Sequence, residues 1–260
     1  MITFITTAKI CKGYEWIEDS LQRYIDCITF FCDKYDIDYE ILIGEDLDYK
    51  NIKRIELKGK FKIIEVPQTY NNPLGFNMIE SYGKNACLSQ SNGDFICMTS
   101  ADQLFSESFF IFIKNSLYPS MFYRFATYEI PKFNTDTLTM AEIIKKCSNG
   151  GRLCNPGCFS YPLNPINLGQ KSGDIMLLDR LSFQKIGGWP ENDCFVHVDC
   201  SVCFVAFNNF NVVVPPNNIC SYTFEQTYRE PTEKFLNSGE SYNSYQWRKC
   251  LSYSDKLVCN

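Results

Sequence analysis

Residues 95–103 read Phe-Ile-Cys-Met-Thr-Ser-Ala-Asp-Gln, and the fold prediction starts from this stretch. Phe95–Thr99 is a short apolar run, and the Asn92-Gly93 pair before it is typical of a turn. A run of this length between turn signals predicts a buried strand. The residues that follow, Ser100-Ala101-Asp102, place an acidic side chain where that strand ends.

Strands and helices alternate on the amino-terminal side of this strand. Within one segment, apolar residues recur at helical spacing at Ile17, Leu21 and Ile25. The predicted order is strand, helix, strand, strand and helix, over Ile2–Thr7, Tyr14–Cys32, Tyr39–Ile43, Lys62–Val66 and Met78–Gln90. On the other side, Ser106 can cap a helix that runs to Leu117. This alternation predicts an α/β fold with a mixed, mainly parallel central sheet flanked by helices.

The second half of the chain is less regular. We expect a strand at Tyr123–Ile130, then long loops over 131–172 that contain one helix at Ala141–Lys146. A strand at Asp174–Leu178 and a helix follow, and this helix is capped by Asp179 and ended by Gly187-Gly188. The last predicted elements of this part are a helix at Asp199–Phe207 and a strand at Val212–Val214. The polar and aromatic remainder predicts one more helix around Tyr242–Tyr253. We therefore expect one domain over residues 1–215 and a C-terminal extension over residues 216–260 that packs on it.

Acidic residues stand at the carboxyl ends of two predicted strands, at Glu45, Asp46 and Asp102. In open α/β sheets ligands bind beyond these ends. Mg²⁺ and Mn²⁺ prefer oxygen ligands and take only one or two carboxylates besides phosphate and water. Asp102 can therefore hold a divalent cation that carries a diphosphate. The alternative is a plain polar turn after the strand.

A second candidate site contains the only histidine of the chain. His197 lies two residues before Asp199, and aspartate is a favoured first residue or cap of a helix. With His197 in the preceding loop, both side chains can converge, although a lone histidine or a capping aspartate can also be purely structural. A third candidate pair, Lys84 and Asn85, can reach a phosphate or a sugar hydroxyl, or can simply be solvated.

Composition excludes several classes of partner. The net charge of −5 provides no positive field for nucleic acid or anionic lipid. No apolar run is long enough for a membrane span, and the apolar stretch at Ile2–Ala8 is too short for a signal peptide, so we expect a cytoplasmic protein. The chain has 14 cysteines, but only Cys200 and Cys203 form a C-x2-C pair, and a zinc site typically needs two such pairs. Many of the other cysteines lie in apolar runs, so we expect buried thiols in a reducing compartment rather than zinc ligands or disulfides.

Two segments resemble GT-A glycosyltransferases of the family 2 type. Tyr82–Asp102, YGKNACLSQSNGDFICMTSAD, resembles their R-N-x-G-x-x-x-A-x-G-x-[YF]-[IL]-x-x-x-[DN]-A-D stretch. Gly173–Glu191, GDIMLLDRLSFQKIGGWPE, looks like their acceptor-side segment that ends in [IV]-G-G-[FWY]-x-E. His197-Val-Asp199 stands where many members carry the base. The resemblance covers roughly residues 1–215 and implies a Rossmann-like GT-A fold.

The resemblance also implies a reaction and a site. The expected reaction is hexosyltransferase-like, with inverting transfer of a sugar from a nucleoside-diphosphate sugar to a glycan or other hydroxyl acceptor, aided by Mn²⁺ or Mg²⁺. It implies that Asp102 and His197 bind the metal, that Asp199 is the catalytic base, and that the acceptor is bound by Asp174, Trp189 and Glu191. The implied nucleotide-sugar site comprises Thr6, Thr7, Glu45, Asp46, Lys84, Asn85, Ser100, Ala101 and Asp102.

One departure from the family keeps two other functions open. Ser100 stands at the first position of the DxD metal motif, where the family has aspartate. This substitution favours a non-catalytic module that binds a nucleotide sugar or glycan. A sugar nucleotidyltransferase is the other alternative, but it would need a glycine-rich phosphate loop after the first strand, and Thr6–Gly13 contains one glycine.

Overall fold

A computed structural model describes residues 1–8, 16–46, 56–66, 80–155, 175–189 and 198–225. Its strands are β1 (Ile2–Ala8), β2 (Tyr39–Asp46), β3 (Lys62–Val66), β4 (Phe95–Thr99), β5 (Leu104–Phe105), β6 (Met121–Arg124), β7 (Ala126–Ile130), β8 (Arg152–Asn155), β9 (Ile175–Asp179), β10 (Asn211–Val213) and β11 (Cys220–Phe224). Its helices are α1 (Trp16–Lys34), α2 (Glu80–Gln90), α3 (Glu107–Asn115), α4 (Met140–Ser148), α5 (Arg180–Lys185) and α6 (Val198–Asn209).

The larger sheet has seven strands in the order β10-β6-β9-β4-β1-β2-β3. β1 pairs in parallel with β2 and β4, β2 pairs in parallel with β3, and β6 pairs in parallel with β10. Only β9 runs antiparallel to its neighbours, β4 and β6. All seven residues of β1 are buried, as expected for a central strand covered on both faces. The sheet is therefore mixed and mainly parallel, as the sequence predicts.

The smaller sheet has four strands in the order β5-β11-β7-β8. β11 pairs in parallel with β7 and antiparallel with β5, so it lies inside this sheet. The sequence did not predict three strands of this sheet, β5, β8 and β11. Because β11 lies beyond residue 215, the sheet continues past the predicted domain boundary. Residues 226–260, with the predicted helix at Tyr242–Tyr253, lie outside the described residues.

A hydrophobic core fills each face of the larger sheet. Side chains of β9 show the division, since Ile175 and Leu177 enter one core while Met176 and Leu178 enter the other. The first core joins the sheet to α1, α3, α4 and the smaller sheet. The second core joins it to α2, α5 and α6. Burial on both faces explains why the strands of the larger sheet read as short apolar runs.

The predicted helix ends on either side of the sheet are confirmed. Ser106 caps α3 by accepting a hydrogen bond from the Phe109 N–H, and Asp179 caps α5 in the same way from the Ser182 N–H. Gly187 and Gly188 follow α5 with φ of 78° and 73°, a region in which glycine is favoured. No described helix is long and apolar enough to cross a membrane.

The predicted strand at Tyr123–Ile130 is wrong as a single element. The structure divides it into β6, which joins the larger sheet, and β7, which joins the smaller one. Phe125 separates them and is fully buried in the first core. The chain therefore passes from one sheet to the other within one uninterrupted stretch of extended residues, which periodicity alone does not reveal.

Candidate functional site

The carboxyl ends of β1, β2 and β4 meet at one edge of the larger sheet. Thr7 pairs with Gly44, Ala8 pairs with Glu45, and Ile5 pairs with Met98 near the end of β4. This register brings together the predicted donor-site positions on three strands, which are Thr6, Thr7, Glu45, Asp46, Ser100, Ala101 and Asp102. Their shared location at the carboxyl edge follows from parallel pairing. The side chain of Asp46 is outside the described part of the structure.

Asp102 is held in place by the smaller sheet. Its Oδ2 accepts a hydrogen bond of 2.7 Å from the Thr223 hydroxyl of β11. The next residue, Phe224, lies under the Arg23 guanidinium, whose Cζ is 5.4 Å from the ring centroid. Two consecutive residues of β11 therefore contact a candidate metal ligand and a neighbouring cation. Sequence reasoning missed Arg23, Thr223 and Phe224, because their proximity to Asp102 depends on long-range pairing.

Helix α1 is anchored at the same edge. The Tyr24 hydroxyl lies 2.9 Å from the Thr99 hydroxyl at the last residue of β4. Tyr24 is fully buried, and this burial raises the pKa of its phenol well above the ordinary value. Burial lowers the pKa of the neighbouring Arg23, against the opposing effect of Asp19, Asp136 and Asp102. The second turn of α1 thus brings a positive charge close to Asp102.

Lys84 and Asn85 connect the two segments that carry the family resemblance. The Asn85 side chain donates to the Trp189 carbonyl and accepts from the Trp189 N–H, both at 2.8 Å. The Lys84 ammonium pairs with Glu80 and lies 4.1 Å from the centroid of the Trp189 ring. Gly188 is required here, because a Cβ on it would come within 2.6 Å of the Asn85 oxygen.

The positive charge of Lys84 is already compensated within α2. The lysine side chain is 4% exposed and its ammonium is compensated by a carboxylate one helical turn away. A phosphate contact by Lys84 would require it to leave this pair. Trp189 is equally buried, at 1% exposure, so its ring forms part of the second core.

Helix α2 packs against β1 and β2 through two glycines. A Cβ on Gly44 would lie 2.8 Å from the Gly83 carbonyl oxygen, and a Cβ on Gly83 would lie 2.5 Å from Thr7. The backbones therefore approach more closely than any other residue type would permit. Because α2 leads toward the start of β4, its amino-terminal half lies at the carboxyl edge of the sheet.

Asp199 lies in the first turn of α6, on the stripe that faces the sheet. Residues Val202, Cys203 and Ala206 of this stripe are buried in the second core. The Cys203 sulfur is 3.6 Å from that of Met176, which pairs with Met98 near the end of β4. Because Asp199 precedes Cys203 by about one turn, ~5 Å, it lies farther toward an end of the sheet.

The direction of α6 identifies that end. α6 leads into β10, which runs parallel to β6, and β6 runs in the same direction as β4 because both are antiparallel to β9. α6 therefore ends near the amino edge and begins near the carboxyl edge. The structure thus brings Asp199 to the same edge as Asp102, with the two residues approaching from opposite faces of the sheet.

Arg124 is a further charged residue on the α6 side that sequence reasoning missed. It ends β6, pairs with Met176 and is fully buried. Cross-strand partners project from the same face, so Arg124 shares the face of Met176 and Cys203. Burial raises the pKa of the Cys203 thiol to about 12, while the Arg124 charge opposes this rise and the Asp199 charge adds to it. Both charges therefore act on one thiol.

Three predicted site residues, Asp174, Glu191 and His197, lie outside the described residues. Within the described residues, no group of three or more His, Cys, Asp or Glu is arranged to hold a metal ion. A single carboxylate such as Asp102 suits Mg²⁺ or Mn²⁺ when phosphate and water complete the shell, and the Thr223 hydrogen bond orients it as metal-binding carboxylates commonly are.

A cavity of about 800 Å³ lies elsewhere, between α3, α4 and the smaller sheet. Its wall includes Lys34, Tyr128, Cys147, Cys220 and Tyr222. None of the predicted site residues in the described ranges contributes to its wall. Its size alone therefore does not link it to the carboxyl edge.

Comparison with known proteins gives a structural likeness only. No protein-family model and no curated protein sequence matches the chain. The mannosyltransferase PcManGT from Pyrobaculum calidifontis, solved in complex with GDP-Man and Mn²⁺, matches over 100% of this chain and 64% of its own, with 10% identity and a TM-score of 0.50. The chain thus spans just under two thirds of that protein.

A second match is the catalytic domain of Drosophila β1,4-galactosyltransferase 7 in complex with xylobiose. It covers 93% of this chain and 82% of its own, with 13% identity and a TM-score of 0.43. The likeness to the first structure shows that the chain has the predicted α/β architecture of the GT-A type.

Proposed function

We propose, from the GT-A fold of this chain, that it is a glycosyltransferase that moves a sugar from a nucleoside-diphosphate sugar to an acceptor hydroxyl. The observation that carries this proposal is the placement of Asp102 and Asp199 at one edge of the larger sheet. One carboxylate is available on the donor side, after β4, and the other on the opposite face, at the start of α6.

The donor side contains the ends of β1, β2 and β4. We assign Thr6, Thr7, Glu45 and Asp46 to the nucleoside, and the segment Ser100-Ala101-Asp102 to the diphosphate. Thr6 supports this assignment, because its hydroxyl is buried at this edge and has no hydrogen-bond partner among the described residues. Lys84 and Asn85 are proposed to border the donor site, because Lys84 is paired with Glu80 and both residues contact Trp189.

A divalent cation fits this side of the site. Asp102 would hold it together with His197, and the cation would neutralise charge on the leaving diphosphate. Thr223 keeps the Asp102 carboxylate oriented by its hydrogen bond. Mn²⁺ and Mg²⁺ are the ions whose preferred ligands match a carboxylate with phosphate oxygens.

Asp199 is the proposed base. Asp199 lies in the first turn of α6, where the helix dipole favours a negative charge. It would accept the proton of the acceptor hydroxyl while that oxygen attacks the anomeric carbon from the face opposite the leaving group, with inversion. Asp174, Trp189 and Glu191 are proposed to bind the acceptor, and Trp189 would act by shaping the wall, because its ring is buried.

Two alternatives would use the same fold. A non-catalytic module that binds a nucleotide sugar or a glycan is favoured by Ser100, and a sugar nucleotidyltransferase would require phosphate contacts after β1.

The described cysteines are free thiols, which supports a reducing location such as the cytoplasm.

A donor screen tests the proposal. The purified chain is incubated with a panel of nucleoside-diphosphate sugars, with Mn²⁺ or with a chelator, and released nucleoside diphosphate is measured. We expect release from one donor, stimulated by Mn²⁺. Metal-dependent nucleotide binding without any release favours the binding module, and release of pyrophosphate from a nucleoside triphosphate and a sugar phosphate favours the nucleotidyltransferase.

A further inference from the structure

Arg23 is a described cation whose charge interacts with that of Asp102. It is half-buried in the second turn of α1, where its neighbour Tyr24 fixes the helix to the end of β4. Phe224 lies under its guanidinium, and the residue before Phe224 donates a hydrogen bond to Asp102. One strand, β11, therefore sets the position of Arg23 and of the proposed metal ligand together.

Most of the Arg23 hydrogen-bonding capacity is unused by described residues. A guanidinium has five N–H donors, and the contact seen is one bond of 3.2 Å from Nη2 to the Ser20 hydroxyl. Stacking on an aromatic ring occupies the face of the guanidinium but leaves its edge donors in plane. Such an edge matches two oxygens of a phosphate group.

The other candidate cation on the donor side is committed elsewhere. Lys84 is buried, is paired with Glu80 and lies against Trp189. Ser100 supplies no second carboxylate directly after β4, and the described residues contain no group of three or more His, Cys, Asp or Glu arranged to hold a cation. A site of this kind gains from a second positive group on the protein, and Arg23 occupies the suitable position.

We propose that Arg23 binds the donor diphosphate beside Asp102, and that Thr223 and Phe224 of β11 position these two groups. This inference rests on the proposed function. A cation held by Asp102 would supply one positive charge to the diphosphate, and the edge of the Arg23 guanidinium would donate hydrogen bonds to its oxygens. Both positive groups then face the negative charge that develops on the leaving diphosphate.

The acidic surroundings of Arg23 define how this contact behaves. The charges of Asp19, Asp136 and Asp102 all act on the guanidinium, so these described carboxylates outnumber the one positive charge and disfavour a diphosphate. A divalent cation at Asp102 removes part of this repulsion. Arg23 should therefore contribute more to diphosphate binding with Mn²⁺ present than with a chelator.

The test compares nucleoside diphosphates with nucleosides. UDP, GDP, uridine and guanosine are titrated into the full chain by calorimetry, with Mn²⁺ and with EDTA, using the wild type, Arg23→Gln, Arg23→Lys and the control Arg152→Gln. Arg152 is 79% exposed on β8 and its guanidinium pairs with Glu129, so it serves as a surface arginine that carries the same charge. We expect Arg23→Gln to weaken diphosphate binding about tenfold or more and to leave nucleoside binding unchanged.

The conservative variant separates a phosphate contact from a structural role. Arg23→Lys keeps the positive charge but lacks the planar pair of N–H donors of a guanidinium. It should therefore recover part of the diphosphate affinity that Arg23→Gln loses. Equal diphosphate binding by Arg23→Gln and the wild type would overturn this inference and leave the proposed function intact. Absence of any nucleotide binding by the wild type would overturn both. Equal losses for diphosphate and nucleoside would assign Arg23 a structural role instead.

Discussion

Thr223 illustrates how a single side chain outside the recognisable motif can control one inside it. Its hydroxyl holds the Asp102 carboxylate at 2.7 Å from a strand that the sequence did not predict. The acidic residue itself was predictable, because it follows an apolar strand directly. Its hydrogen-bond partner was not, because Thr223 is 121 residues away and belongs to another sheet.

The Thr223 hydrogen bond can be tested by a nearly isosteric change. Thr223→Val removes the hydroxyl, so Asp102 loses its orienting partner, and we expect Mn²⁺ affinity to fall about tenfold. Thr223→Ser keeps the hydroxyl and should bind Mn²⁺ as the wild type does. Electron paramagnetic resonance of free Mn²⁺ during a titration measures both. Identical Mn²⁺ binding by the valine variant would show that Asp102 needs no such partner.

The Asn85 side chain has a structural function, since it joins α2 to the backbone at Trp189. Asn85→Ala leaves the N–H and the carbonyl of Trp189 without their partners, and we expect the free energy of unfolding to fall by about 2–3 kcal/mol. Urea denaturation measures this loss. The matched control is Asn115→Ala, which removes one exposed bond to Ile111 within α3 and should cost under about 1 kcal/mol. Equal costs for the two variants would contradict the joining role.

Among the elements, the strands of the larger sheet were predicted best. The strands at Lys62–Val66 and Phe95–Thr99 have the predicted bounds. Phe95–Thr99 is a short, largely buried apolar run that follows a turn, whereas Lys62–Val66 is an edge strand that precedes Pro67 in the sequence. β11 was missed because its sequence, Cys-Ser-Tyr-Thr-Phe, mixes polar and aromatic residues. Its two partners, β5 and β7, are remote in sequence, so local patterning does not reveal the pairing.

Glu40 joins the start of β1, the start of β2 and the turn before β4. Its carboxylate accepts hydrogen bonds from the Thr3 hydroxyl at 2.6 Å and from the Asn92 and Gly93 N–H groups at 2.5 and 3.3 Å. Partial burial raises the pKa of Glu40, but these hydrogen bonds outweigh burial and lower it below the ordinary value of 4.5. The ionised form is therefore the one that stabilises this junction.

The sign of the pH effect follows from that lowered pKa. The stabilisation is fully present above the unfolded-state pKa of Glu40 and is lost as pH falls through the folded-state value. We expect Glu40→Gln to lower the free energy of unfolding at neutral pH, and the difference from wild type to shrink in acid below pH 4.5. Urea denaturation across this range measures the difference. A gap that stays constant, or widens in acid, would contradict the assignment.

At the level of the whole molecule, the described residues form two sheets that share the first core, whereas the sequence predicts only one sheet. The predicted limit at residue 215 follows a change in composition, but β11 continues the smaller sheet beyond it. The extent of the domain therefore depends on pairings with β5 and β7 that composition does not show. The division into residues 1–215 and 216–260 stays a prediction for the part after residue 225.

Cysteine chemistry offers a test of the packing of the whole chain. Seven described thiols are buried, and burial raises the pKa of Cys27, Cys87 and Cys147 to about 12. We expect iodoacetamide at neutral pH to leave these three unmodified until denaturant is added, while the exposed Cys154 reacts in the native protein. Peptide mapping by mass spectrometry measures each site. Rapid native alkylation of Cys27 would show that the first core is not closed.

The central claim is that Asp102 and Asp199 act on one donor and one acceptor at the carboxyl edge. The most direct measurement compares nucleoside-diphosphate binding and turnover in Asp102→Asn and Asp199→Asn. We predict that Asp102→Asn loses Mn²⁺-dependent binding, whereas Asp199→Asn binds the diphosphate normally but turns over about 10²–10⁴-fold more slowly. Normal turnover by Asp199→Asn, or unchanged Mn²⁺-dependent binding by Asp102→Asn, would contradict the account.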